Sequence, residues 1–181
     1  MNLRRLLLCA NIFDDNEWNL RYILQNAKLL EELCLPASDD LGPGIVGLHD
    51  ILSPTACTLK VLHLTISFPL YGRVSPHTRL CEELEVMAGH NVLEALNFEI
   101  EMGDSNLEDC IGAIIPKLGE VLVKPRWSAL QRVFFKFDCL IVDSTEFEAL
   151  RSLTIEKHLS HFSELESLAF NYSLNGLVIS F

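Results

Sequence analysis

The sequence predicts an α/β fold built from stacked strand–helix units, and three observations carry that prediction. A phrase of the form L-x-x-L-x-L recurs along the chain. Successive phrases are far enough apart to leave room for a helix after each strand. Hydrophobic residues make up 49% of the 181 residues, enough for a sizeable core and too many for disorder.

The clearest phrase is Thr58 to Ile66, TLKVLHLTI. Leu62 and Leu64 lie two apart, so on a strand they share one face, while Val61, His63 and Thr65 share the other. Leu59 turns the chain into the strand. One such unit cannot bury its leucines alone. Side-by-side stacking makes a parallel sheet with a continuous apolar core behind it.

Taken in order, the first unit is Leu3, Leu6 and Leu8, with Asn11 completing L-x-x-L-x-L-x-x-N. A helix is expected from about Asn16 to Leu29, with Trp18, Tyr22, Leu24 and Leu29 on its apolar face. The second unit is Leu30, Leu33 and Leu35, closed by Pro36. A polar, glycine-rich loop then leads into a short helix near Ile45 to Leu52, ahead of the third unit at Leu59. After Phe68 a loop with Pro69, Gly72 and Pro76 precedes a helix from about His77 to Ala88. Leu80, Leu84 and Met87 fall there at helical spacing, and Gly89 supplies a stop.

The fourth unit is Leu93, Leu96 and Phe98. Ser105 or Asn106 caps a helix through Cys110, Ile111, Ile114, Ile115 and Leu118, which Pro116 is expected to kink or split. The fifth unit is Leu130, Val133 and Phe135, extended by Phe137. The segment from Thr145 to His161 also contains leucines at phrase spacing but reads as helix. The sixth unit is then Leu165, Leu168 and Phe170, and Leu177 to Phe181 reads as a further short strand. The first leucines lie 27, 29, 34, 37 and 35 residues apart. The ninth phrase position, Asn11, Ser38, Ser67, Glu101, Asp138 and Ser173, is always polar but asparagine only once.

LKVLHLTI, LEALNFEI, LQRVFFKF and LESLAFNYS together resemble the leucine-rich-repeat superfamily, and long units with full helices look most like the repeat region of divergent fungal F-box/leucine-rich-repeat proteins. That resemblance covers nearly the whole chain as a single domain, residues 1–181. It implies an open solenoid with the parallel sheet on the concave face and helices on the convex face. It also implies a non-enzymatic protein-interaction module, often the region of a ubiquitin ligase that recognises substrates. The F-box that contacts the ligase adaptor has no counterpart here, so a fragment without independent function is a further expectation to weigh.

The formal net charge of −11 argues against nucleic-acid binding, because little here neutralises a phosphate backbone. No polybasic run points to an anionic membrane, and no apolar run reaches the roughly eighteen residues of a spanning helix. The short leucine stretch at the N-terminus runs straight into Asp14, Asp15 and Asn16, so it reads as structure rather than as a leader. Six well-separated cysteines, with no C-x-x-C, read as reduced thiols of a cytoplasmic or nuclear protein.

The rival reading is a doubly wound α/β nucleotide-binding enzyme using the loop Gly42-x-Gly44-x-x-Gly47. Its context is poor: the preceding strand ends several residues too early, and the next strand ends without an acid for a ribose. His158 and His161 lack a third ligand nearby. Cys34 and His63 should stand side by side but lack an orienting group and an oxyanion site. The sequence therefore implies no catalytic residues, cofactor or metal.

Positions three, five and seven of each phrase must face away from the leucines. They make His63, Asn97, Glu99, Arg132, Phe134 and Lys136 the candidate partner-binding residues, unless the tail from Leu177 to Phe181 folds back over Phe134. The same alignment sets Arg5 beside Glu32 and Glu99 beside Lys136. The first strand starts at residue 2 or 3 with no capping helix before it, so its open edge invites pairing with another copy. The isolated chain is expected to self-associate. Light scattering that shows a clean monomer at tens of micromolar concentration contradicts that expectation.

Overall fold

The computed structural model describes residues 3–8, 17–36, 47–68, 76–89, 91–102, 107–122, 127–141 and 169–178. Six strands form one sheet: β1 (Arg5–Leu7), β2 (Glu32–Pro36), β3 (Val61–Phe68), β4 (Ala95–Met102), β5 (Arg132–Ile141) and β6 (Ala169–Val178). All pair in parallel and in the order of the sequence. The strands lengthen from 3 residues in β1 to 10 in β5 and β6. The described helices are α1 (Glu17–Asn26), α2 (Leu48–Leu52), α3 (Pro76–Met87) and α4 (Leu107–Leu122). Among the described strands the order never reverses, so the sheet has no switch point of the doubly wound kind.

The phrase leucines do what their spacing requires. Leu33, Leu35, Leu62, Leu64, Ile66, Leu96, Phe98, Ile100, Val133, Phe135 and Phe137 all point into one buried cluster. Leu20 and Leu24 of α1, Ile51 of α2, Leu80 and Leu84 of α3, and Ile115 and Leu118 of α4 join the same cluster from the other side. The helices thus cover one face of the sheet. Phe135 sits at the cluster's aromatic centre. Its ring lies 5.0 Å from Phe98, 6.0 Å from Phe137 and 5.6 Å from Phe170.

The register holds where the phrases align. Arg5 stands opposite Glu32 and Glu99 opposite Lys136, as expected. A shared backbone device fixes that register at the mouths of β1 to β4. The carbonyl of Arg4 accepts from the N–H groups of both Glu31 and Glu32. The carbonyls of Glu31, Lys60 and Glu94 do the same for residues 60 and 61, 94 and 95, and 131 and 132. These acceptors all occupy the second phrase position. Their side chains alternate in sign, and Arg4 pairs with Glu31 and Lys60 with Glu94.

Several expectations need correcting. The sixth phrase is two residues out of register: Phe170 pairs with Val133, not with Phe135, and Asn175 rather than Ser173 stands beside Asp138. A slip of two keeps every side chain on its face, so the apolar pattern alone does not detect it. No separate strand starts after Gly176, because β6 runs through it to Val178 while β5 supplies partners as far as Ile141. Those partners also place Leu177 and Val178 beside β5 rather than across the open face; residues 179–181 are outside the described set.

On α1 the buried side chains are Leu20 and Leu24, followed by Ala27 just past its end, whereas Tyr22 and Leu29 are exposed. The helix ends at Asn26, so Leu29 belongs to the turn that enters the second phrase. Pro116 does not split α4; it lies on the exposed side, where the lost helical bond faces solvent. Gly89 ends the α3 segment at a φ of 88°, the left-handed stop expected there. The expected helix over 145–161, the capping residues Ser105 and Asn106, and Leu165 and Leu168 lie outside the described residues.

One of these contacts offers a direct check on the core. Phe135→Ala removes the ring that touches Phe98, Phe137 and Phe170, and truncations of this kind cost about 3–5 kcal/mol. A denaturant midpoint close to that of the parent chain shows that Phe135 is not the packing centre.

Candidate protein-binding face

The six candidate residues share one face of the sheet, the side away from the helices. Three rows, set by the phrases of β1 to β5 and continued by their partners in β6, cross it ahead of a fourth that holds Ser67, Glu101, Asp138 and Asn175. The phrase's third position gives Arg5, Glu32, Val61, Ala95, Arg132 and Ala169. Its fifth gives Leu7, Cys34, His63, Asn97, Phe134 and Asn171, and its seventh gives Pro36, Thr65, Glu99, Lys136 and Ser173. Most of these residues are half-buried or exposed, and Ala95, a small side chain between Val61 and Arg132, is the buried exception.

Hydrogen bonds organise the face into two strings. In the first, Arg5 donates to Glu32 Oε1 at 2.6 Å, and the same oxygen lies 3.1 Å from Nε2 of His63. The Asn97 amide lies 3.2 Å from Nδ1 of His63. The ring thus joins Glu32 to Asn97, with donor and acceptor roles set by its tautomer. In the second string Lys136 bonds both Glu99 and Asp138, the latter at 2.6 Å, and Thr65 donates to Glu99. The hydrogen bonds that Lys136 donates to Asp138 and Glu99 hold its ammonium above its ordinary pKa. The string is partly solvated and contributes little to stability by itself.

Arg132 and Phe134 belong to neither string. Arg132 is exposed and Phe134 half-buried, and among the described residues neither side chain has an ion pair, hydrogen bond or ring contact. Of the residues outside the candidate set, Glu32 is a junction bonded to both Arg5 and His63, and its column beside Arg5 is the sequence signal for it. Asn171 stands beside Phe134 and was hidden by the two-residue slip of the sixth phrase.

The other chemical signals are weaker. Cys34 and His63 do pair across strands, but burial, followed by the Glu32 charge, pushes the Cys34 thiol up rather than down. His63 directs its nitrogens to Glu32 and Asn97. Of the glycine loop only Gly47 is described. Its N–H donates to Glu83 Oε1 at 2.7 Å and that of His49 to Oε2 at 3.1 Å, so a carboxylate from α3 already occupies the start of α2. Gly47 itself has a φ of 79°. His158 and His161 lie outside the described residues, within which no three ligating side chains gather around a metal position. No helix among the described residues is long and apolar enough to cross a membrane.

Comparison with protein-family models, with curated proteins and with solved structures gives no match.

The thiols report on the packing. Cys57 is exposed, Cys34 is intermediate, and burial pushes Cys81 up to about 11. At pH 8, iodoacetamide should modify Cys57 first among these three, then Cys34, with Cys81 protected until the chain unfolds. A folded thiol with a raised pKa favours the folded state fully below its unfolded value. That contribution fades as pH climbs from 9.0 towards about 11. Mass spectrometry that finds Cys81 labelled as fast as Cys57 contradicts this order.

Proposed function

We propose that this chain is a non-enzymatic protein-recognition module that binds its partner through the open face of the sheet. The observation that carries the reading is one-sided burial of a parallel sheet. Parallel sheets are almost always covered on both faces, because their crossover helices lie on both. Here the described helices share one core on one side. The other side presents rows of polar residues in which most charges are neutralised by a neighbour, leaving Arg132 and Phe134 uncommitted among the described residues. A rigid, pre-satisfied polar surface around an aromatic and an arginine is the composition of an interface centre.

The reading extends further by resemblance. We take the units to form an open leucine-rich-repeat solenoid with this face concave, and the module to be the substrate-recognition region of an F-box type ubiquitin-ligase subunit. A cytoplasmic or nuclear setting agrees with the free thiols of Cys34, Cys57 and Cys81. The partner is a protein rather than a nucleic acid or a membrane.

Phe134 provides the test. Phe134→Ala should leave the melting temperature nearly unchanged and weaken partner capture by about 2 kcal/mol or more. A loss of several degrees in melting temperature with capture intact assigns Phe134 to packing and removes the proposed interface.

A further inference from the structure

The proposed partner face carries a more specific imprint in its charge arrangement. Arg5 is committed to Glu32, and Glu32 also to His63. Lys136 lies between Glu99 and Asp138. Along the strand mouths Arg4 faces Glu31 and Lys60 faces Glu94. Arg132 is different. Its row neighbours are Ala95 and Ala169, whose methyl groups accept nothing. Two residues along β5, on the same face, Phe134 lies between Asn97 and Asn171.

We propose, resting on the binding-face reading above, that this patch takes an extended segment of a partner protein with one carboxylate side chain over Arg132 and an apolar side chain over Phe134. The spacing sets the pattern. Residues two apart on a strand are roughly 6.6 Å apart, so an extended segment lying along β5 meets both with side chains two apart in its own sequence. A guanidinium with no acceptor among the described residues fits a carboxylate with paired donors, and the Phe134 ring gives the neighbouring side chain an apolar seat. Asn97 and Asn171 stand beside Phe134 in its row, Asn97 with its amide nitrogen on His63, and Asn171, which is exposed, brings a polar side chain to the segment.

The surroundings limit the partner further. The chain's net charge of −11 repels a polyacidic tract. A single carboxylate in contact with Arg132 is attracted at a distance well inside the screening length, so recognition is local. The next row along β5 holds Glu99 and Lys136, with Asp138 one row beyond, and the lysine there is already neutralised by both. A second acid at that end meets carboxylates. The segment therefore reads acid, any residue, apolar residue, any residue, then a neutral or basic residue.

The test is a titration of the isotopically labelled full chain with three blocked nine-residue peptides. Each is built of Ser, Thr and Gly around Glu-Thr-Phe, Gln-Thr-Phe or Lys-Thr-Phe, and is followed by nuclear magnetic resonance. The Glu peptide should shift the amide signals of Asn97, Phe134 and Asn171 and the guanidinium signal of Arg132. It should bind about fivefold more tightly than the Gln peptide, the effect of one exposed charge pair. Arg132→Gln, at an exposed position, should keep the folded spectrum and abolish that preference, and Arg132→Lys should retain part of it. Equal binding of the Glu and Gln peptides, or tighter binding of the Lys peptide on this face, overturns the carboxylate partner and leaves the binding-face reading standing. Shifts elsewhere on the chain, or none, also overturn the inference. The broader reading then rests on the outcome of Phe134→Ala in partner capture.

Discussion

The structure depends on a backbone acceptor shared between neighbouring units. At the mouths of β1 to β4, one carbonyl takes two N–H groups from the next unit, at Arg4, Glu31, Lys60 and Glu94. Each such bond contributes about a kilocalorie per mole net, but leaving the groups unpaired in a half-buried position costs more. The junction therefore admits one alignment of the second phrase position with the second phrase position. The segments between phrases differ in length by up to ten residues (27 against 37), yet the first five strands start flush. The extra residues fall between one strand mouth and the next and leave the alignment of the mouths unchanged.

How much of this was legible in the sequence follows from what each signal measures. The leucine spacing measures burial, and burial is periodic over two residues in a strand. It therefore identified which side chains turn inward, and it separated Phe134 from Phe135 and Phe137. Together with the first leucine of each unit it also aligned β1 to β5, which is why Arg5 meets Glu32 and Glu99 meets Lys136. It was blind to a displacement of two, and β6 took that displacement. The sixth phrase was anchored on Leu165 and Leu168, whereas the pairing that decides register is a backbone matter in which Phe170 faces Val133.

The candidate face was legible in outline for the same reason and incomplete in detail. Alternation places His63, Asn97 and Phe134 in one row without reference to any contact. It does not say which polar groups will be used up internally. That Glu32 serves both Arg5 and His63, on a diagonal between rows, depends on side-chain reach. The cap that Glu83 places on α2 joins residues more than thirty positions apart, and no local motif marks it.

The gradation in strand length bears on cohesion. In a one-dimensional stack each unit is held only by its neighbours, and the holding energy scales with the shared boundary. The boundary between β1 and β2 joins three residue pairs, and that between β5 and β6 joins ten. Leu7 is 69% exposed, whereas Phe135 is fully enclosed. Cooperativity is therefore unequal along the chain. The N-terminal unit frays as a small, separate step, while the later units open together, and the patch around Arg132 and Phe134 lies on the part of the sheet that opens last.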